Sequence, residues 1–172
     1  MEFEFDVKEN EICLKRCYGT EERIEVPAQI EGMPVTVLAS YIFSQARREP
    51  DQKAAICGNQ VKEIVLPDTV QEIGNYAFYG CYYLEALTLS HRTHDIAGGA
   101  FTGCRHLKNL TFRMEQAEGY CMKDVLSEVH HELKVKLVYP NAVCTLLFPE
   151  YYEEAVENTP ARQLETQFHG SG

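Results

Sequence analysis

Apolar positions along this chain follow two rhythms. The first is a plain alternation: Phe3, Phe5 and Val7 interleave with Glu2, Glu4 and Asp6, and after Lys8-Glu9-Asn10-Glu11 the alternation resumes at Ile12 and Leu14. A period of two, folded back on itself by a short polar stretch, predicts a β-hairpin. The second is a long repeat. IGNYAFYGCYYLEALTL starts at Ile73 and IAGGAFTGCRHLKNLTF at Ile96, a spacing of 23 residues. Ala77, Phe78, Gly80, Cys81, Leu84, Leu87 and Leu89 thus return as Ala100, Phe101, Gly103, Cys104, Leu107, Leu110 and Phe112. Repeats of this length mark solenoids, whose units can hide their apolar side only by stacking on their neighbours. A hairpin ahead of such a stack would cover its first coil and its open strand edge.

An earlier coil emerges once gaps are allowed. Ile24, Val26 and Pro27 lie 40 residues before Ile64, Leu66 and Pro67, whereas Leu38 and Phe43 lie 35 residues before Ile73 and Phe78. The difference of five places a small insertion in the turn around Glu31-Gly32-Met33-Pro34. The excess of 12 over the regular spacing places a longer one within 44–60, a polar stretch containing Pro50 that reads as a surface loop with one short helix. Strands are predicted near 23–26, 62–66, 85–89 and 108–112. In each, period-two spacing sends residues such as Leu87 and Leu89 to the inner face, while Phe78 and Phe101 with Ala77 and Ala100 fill the opposite wall. Gly80 and Gly103 mark corners where a positive φ is expected.

After Phe112 the repeat ends. Asp124, Val125, Leu126, Val129 and Leu133 have helical spacing, so a helix over about 121–131 is predicted, followed by a strand in which Leu133, Val135 and Leu137 alternate with Lys134 and Lys136. Asn141 can cap a short helix AVCTLLF, and Pro149 suits the first turn of another, EYYEEAVEN. The expected organisation is a hairpin cap over 1–22, repeats over 23–113 and a closing helix and strand cap over 114–172.

The units quoted above resemble the BspA-type, or treponemal-type, leucine-rich repeat, whose pattern runs Ile-Gly-x-x-Ala-Phe-x-Gly-Cys-x-x-Leu-x-x-Leu/Ile-x-Leu/Ile-Pro. VLPDTVQEI is similar to the linker between its units. Ala97 stands in place of Gly, Ile42 in place of Ala, and Ser90 and Arg113 in place of Pro. The resemblance implies an α/β repeat solenoid: a short leucine-rich-repeat array of right-handed β/α coils, about four here, with an N-terminal β-hairpin cap and an α-helical C-terminal cap. It also implies a bacterial source, and surface-exposed or secreted relatives that adhere to partners.

Composition narrows the function. Twenty-six Asp and Glu against 16 Lys and Arg leave a net charge of −10. That argues against nucleic acid and anionic membranes, whose phosphates need a cationic field. Met1 leads into EFEFD, with neither a basic nor an apolar leader region, and no apolar run approaches a membrane span, so a cytoplasmic location is expected, with the cell surface or secretion as the alternative. Seven cysteines, an odd number without an export signal, then read as reduced thiols. Cys81 and Cys104 occupy equal places in adjacent coils and read as a ladder of small buried residues. Cys13 and Cys17 have no zinc or thioredoxin spacing. His91, His94 and His106 are placed where turns stack, with no accompanying Cys or carboxylate motif, and Asn109-Leu110-Thr111 is a formal glycosylation sequon on a predicted strand. No nucleophile-elbow, zinc-protease or phosphate-loop pattern occurs.

The chain therefore reads as a non-enzymatic module without cofactor or metal, a scaffold whose partner is a protein. Its binding surface is expected on the outward side of the strand ladder, at Glu25, Glu63, Val65, Thr88, Ser90, Asn109, Thr111 and Arg113. The alternative is a targeting or adhesion module of a larger enzyme or surface protein whose active part lies beyond residue 172.

Overall fold

The alternation at the start of the chain forms the hairpin it predicts. In the computed structural model, which describes residues 1–46, 49–115, 125–129 and 131–148, β1 (Glu2–Lys8) runs antiparallel to β2 (Glu11–Tyr18). Glu9 and Asn10 make the two-residue turn with φ of 53° and 61°, the left-handed pair of a tight hairpin turn. β2 then lies parallel to β5 (Met33–Leu38), so the hairpin is stacked on the first coil.

The five-residue insertion is a second small hairpin. β4 (Gln29–Ile30) pairs with β5 across Glu31 and Gly32, again with two positive φ values. The longer insertion carries a 3₁₀ turn, Ile56–Asn59, as expected. It is not a loose loop. Ile56, Cys57 and Val61 are buried, and the guanidinium of Arg16, only 4% exposed, donates to the carbonyls of Tyr41, Ala46 and Lys53.

Two sheets make the walls of the solenoid. One runs β1-β2-β5-β7-β9, where β7 is Glu72–Ile73 and β9 is Asp95–Ile96. The other runs β12-β11-β10-β8-β6-β3, with β3 at Arg23–Glu25, β6 at Glu63–Val65, β8 at Ala86–Ser90, β10 at Asn109–Arg113, β11 at Leu133–Val138 and β12 at Val143–Phe148. The sequence offsets reappear as strand register. Ile24 faces Ile64, Ile64 faces Leu87 and Leu87 faces Leu110 in one sheet, while Leu38 faces Ile73 and Ile73 faces Ile96 in the other.

Between the walls, Phe43, Phe78 and Phe101 stack with ring centroids 4.9 and 5.0 Å apart. Leu84, Leu87, Leu89, Leu107, Leu110 and Phe112 complete the packing, all at most 1% exposed. At about 1.5–3 kcal/mol for each large side chain removed from water, this continuous file is the main source of stability. Gly80 and Gly103 turn the corners with φ of 69° and 86°.

The C-terminal end departs from expectation. β11 is not part of a separate cap: it runs parallel to β10, with Leu110 facing Val135 and Phe112 facing Leu137, so the array has about five turns rather than four. AVCTLLF is not a helix either. Its residues form β12, antiparallel to β11, because Leu146 is drawn onto the inner face of the sheet (2% exposed) and Cys144 and Phe148 pack beside it. Period-two burial against an existing edge overrides local helical preference. A helical cap is therefore not supported. Of the helix predicted over 121–131, residues 125–127 form a single helical turn, while 121–124 and the acidic stretch EYYEEAVEN lie outside the described residues.

That helical turn nevertheless closes the stack. In each coil the amide of the core phenylalanine donates to the alanine carbonyl of the next: Phe43 to Ala77 at 3.0 Å and Phe78 to Ala100 at 2.8 Å. At Phe101 the acceptor is the carboxylate of Glu128, which takes the Phe101 and Gly99 amides, each at 2.9 Å. Glu128 thus gives Phe101 the acceptor that a further coil would have supplied, and pairs the Gly99 amide as well. Glu128→Ala is expected to cost about 1–3 kcal/mol by leaving two amides unpaired, and Glu128→Gln, which keeps one acceptor, less. Thermal unfolding of both variants, with hydrogen exchange at Gly99 and Phe101, checks the order.

Candidate functional site

The outward side of the longer sheet is a grid set by register. One row runs Arg23, Glu63, Ala86, Asn109, Lys134 and Leu147; the next runs Glu25, Val65, Thr88, Thr111, Lys136 and Thr145. Six of the eight residues expected on this surface fall in those two rows. They form three zones. At the first strands, Arg23 bridges Glu25 at 3.0 Å and Glu63 at 3.0 Å, so the three charges there are spent on one another. The middle is neutral and short-chained: Val65, Ala86, Thr88 and Thr111, with Asn109 exposed. At β11, Lys134 and Lys136 stand out into solvent.

Two expected residues do not serve as assigned. Ser90 is buried, 0% exposed, and its hydroxyl accepts the Arg92 amide at 3.1 Å, so it is absent from the accessible face. Arg113 turns back along the coil, donating to the Leu66 carbonyl and lying 3.2 Å from the Asp68 carboxylate. Both are the last residue of their strand, paired with each other across β8 and β10, where the chain bends into the corner and alternation no longer decides direction. Lys134 and Lys136 were missed as members of the grid. Their signal was the alternation with Leu133, Val135 and Leu137, the same inner-face pattern as Leu87 and Leu89, hidden because the spacing from Leu110 to Val135 is 25 residues instead of 23.

A second surface lies on the corner after β7. Tyr76, Tyr79, Tyr82 and Tyr83 are each 38–48% exposed. Tyr76 stacks on Tyr41 at 5.6 Å and meets Tyr79 edge-on at 5.7 Å, while the Arg105 guanidinium lies 5.7 Å from the Tyr82 ring. Gly99 is needed beneath it: φ is +77°, and a Cβ there would come within 2.4 Å of the Tyr76 ring. The signal was the composition NYAFYGCYY, in which the repeat assigns Ala, Phe, Gly and Cys inward and leaves the tyrosines outside. On the outer side of the shorter sheet, an open cleft of about 530 Å³ is lined by Lys15, Ser40, Glu72 and Asp95, among others.

The candidate chemistry resolves into structure. Cys81 forms a disulfide, with Cys57 of the insertion, which corrects the expectation of reduced thiols throughout. Cys104 holds the ladder place beside it as a free thiol 3.3 Å from the Phe78 carbonyl. Burial pushes the Cys104 and Cys17 thiols up to about 12, so both are poor nucleophiles at neutral pH. Imidazoles bridge coils: His91 donates to the Arg113 carbonyl, His106 to Tyr82 and His131 to Leu107. Among the described residues no group of three or more His, Cys, Asp or Glu side chains is arranged to hold a metal, and no helix is long and apolar enough to cross a membrane.

Comparison with known proteins matches this geometry. Residues 52–139 match the BspA type leucine-rich repeat region, in six copies. Among solved structures, the T. pallidum leucine-rich repeat protein is similar at 26% identity and a TM-score of 0.55, over 66% of this chain and 51% of that one. A leucine-rich cell surface protein of Faecalibacterium prausnitzii is similar at 20% identity and 0.45, over 80% of this chain and 41% of that one. A leucine-rich repeat protein of Bacteroides ovatus aligns at 20% and 0.47, over 69% and 31%. The chain thus spans about half the length of the T. pallidum protein, and less of the other two. No curated protein matches it.

Proposed function

The chain belongs to the BspA-type leucine-rich-repeat family, and from that premise we propose that it is a non-catalytic scaffold that binds a protein partner across the outward face of the longer sheet. Repeats of this kind form interaction scaffolds, and their strand ladders offer a wide, shallow surface. The observation that carries the reading is the neutral middle of the grid. Val65, Ala86, Thr88 and Thr111 present short side chains on adjacent strands, so another protein can approach the sheet without displacing long charged groups. Lys134 and Lys136 on one side and the Arg23 cluster on the other would fix its orientation.

The disulfide bears on where such a scaffold works. Structural disulfides persist in oxidising surroundings, so the Cys57–Cys81 link favours the cell surface or secretion over the cytoplasm. This is the reverse of the weight that the cysteine count suggests.

Affinity capture from the source organism tests the surface. Wild-type chain, Thr88→Arg plus Thr111→Glu, and Tyr79→Ser plus Tyr83→Ser are used in parallel. The grid double variant is expected to lose most of the captured partner and the tyrosine variant to keep it. Undiminished capture by a folded grid variant refutes the reading, and loss only in the tyrosine variant moves the site to the corner ridge.

A further inference from the structure

Three cysteines, not two, stand in the ladder of the repeat. Cys57 lies in the long insertion, yet it occupies the place that the repeat gives its cysteine. Its amide donates to the Phe43 carbonyl at 3.1 Å, as the Cys81 amide does to Phe78 at 3.1 Å and the Cys104 amide to Phe101 at 3.2 Å. The sulfurs repeat as well: that of Cys81 lies 3.8 Å from the Phe43 carbonyl, and that of Cys104 lies 3.3 Å from the Phe78 carbonyl. Most of the insertion is therefore looped out ahead of Cys57, and Cys81 stands between two cysteines of equivalent place.

On one side Cys81 is bonded to Cys57, with Cα atoms 5.0 Å apart. On the other side its coil is drawn tightly against that of Cys104. The Phe78 amide donates to Ala100 at 2.8 Å and the Gly80 amide to Thr102 at 2.9 Å, and a Cβ on Gly103 would lie 3.3 Å from the Gly80 Cα. One such spacing is about 5 Å. It falls within the Cα separation that a disulfide spans, about 4.4–6.8 Å. Cys104 itself is a free thiol.

We propose that the disulfide has two sites on this ladder, Cys57–Cys81 and Cys81–Cys104, and passes between them by thiol–disulfide exchange. Cys104, as a thiolate, attacks the Cys81 sulfur. The Cys81–Cys104 bond forms as the Cys57–Cys81 bond breaks, and Cys57 leaves as a thiolate that takes up one proton, balancing the one Cys104 gave up. No oxidant or reductant is consumed. The entering and leaving cysteines lie on opposite sides of Cys81, as this displacement requires. Loop entropy does not choose between the sites, because the separations are 24 residues and 104 − 81 = 23 residues. They differ in what the bond holds. At the first site it fastens the insertion to the array. At the second it links two regular coils and leaves the insertion to the Arg16 clamp and the burial of Ile56 and Val61. The Cys104 thiol is pushed up to about 12 by burial, against a hydrogen bond at the Cys81 backbone and with a smaller push from the Glu128 carboxylate. Exchange is accordingly slow at neutral pH and quickens as pH rises.

Peptide mapping tests this directly. Trypsin cleavage after Lys53, Lys62, Arg92 and Arg105 puts each ladder cysteine on its own peptide. The folded full chain is incubated at pH 9 without redox reagent, quenched in acid, blocked with N-ethylmaleimide, and only then digested and mapped by mass spectrometry. Both linked pairs are expected, in amounts within about tenfold of each other, since the two loops are of equal length. Cys104→Ser should retain Cys57–Cys81 alone. Cys57→Ser, treated with glutathione disulfide, should form Cys81–Cys104 as the reagent is reduced to two glutathione thiols, with circular dichroism establishing that the variant is folded. Absence of the Cys81–Cys104 pair from the wild-type chain overturns the proposal, whether or not the variants fold. So does a folded Cys57→Ser variant that cannot form it. Links to Cys13, Cys17 or Cys144 appearing alongside it also overturn the proposal, because they mark exchange through the unfolded chain rather than along the ladder.

Discussion

Replacing Phe78 by alanine is expected to lower folding stability by about 3–5 kcal/mol, the range for emptying a fully buried phenylalanine site, and to cost more than the same change at Phe43 or Phe101. All three rings are at most 2% exposed, so burial alone does not distinguish them. Their neighbours do. Phe78 stacks on a ring at 4.9 Å on one side and 5.0 Å on the other, and its amide holds the Ala100 carbonyl while the Ala77 carbonyl holds Phe43. Each coil of a solenoid touches only those next to it, so the coupling between its ends passes through the middle link. Set against the roughly 5–15 kcal/mol available to an ordinary domain, this loss is large enough to break the single transition into two. Urea unfolding followed by circular dichroism, with Phe78→Ala beside Phe101→Ala, measures both the cost and the slope. If Phe101→Ala is as damaging as Phe78→Ala, the stack is not a chain of linked neighbours.

The same nearest-neighbour character explains what could be read from the sequence. Where a coil repeats, each residue meets its counterpart in the next coil, so the offset between Ile73 and Ile96 is both a sequence period and a strand register. The insertions could also be placed, because they appear as excess length between matched residues. Two kinds of feature were not legible. One is the end of the array, where the environment that fixes a segment is no longer its own repeat. AVCTLLF has the residues of either a short helix or a strand, and the free edge of β11 decides for the strand. The other is any contact between an insertion and a coil. Arg16 shares the parity of Ile12 and Leu14, so alternation puts a charged side chain on the core side of β2 with no partner in view, and only the fold brings the Tyr41, Ala46 and Lys53 carbonyls around it. The candidate surface shows the same division. Thr88 and Thr111 follow from alternation within strands, while Ser90 and Arg113, at the corners, do not.

Removing the Cys57–Cys81 link is expected to cost about 3.5 kcal/mol, from the chain entropy released when a loop of this length is no longer closed in the unfolded state. The separation is 24 residues, one coil, and that position gives the bond its meaning. Cys81 belongs to the regular repeat, whereas Cys57 belongs to the insertion, where its amide donates to the Phe43 carbonyl at 3.1 Å. The disulfide therefore makes the insertion behave as part of the stack, on the same level as the aromatic file and next to Cys104. Both sulfurs belong to residues at most 2% exposed, so reductant should reach them only through opening of the coil. Native protein in dithiothreitol is expected to keep the bond far longer than protein in denaturant. Cys57→Ser plus Cys81→Ser isolates the equilibrium cost from that kinetic protection. If the double variant melts as wild type does, the Arg16 clamp and the burial of Ile56 and Val61 hold the insertion unaided. Fast reduction of native protein would show instead that the 44–60 segment opens independently of the array, and that the repeat and its insertion are separate cooperative units.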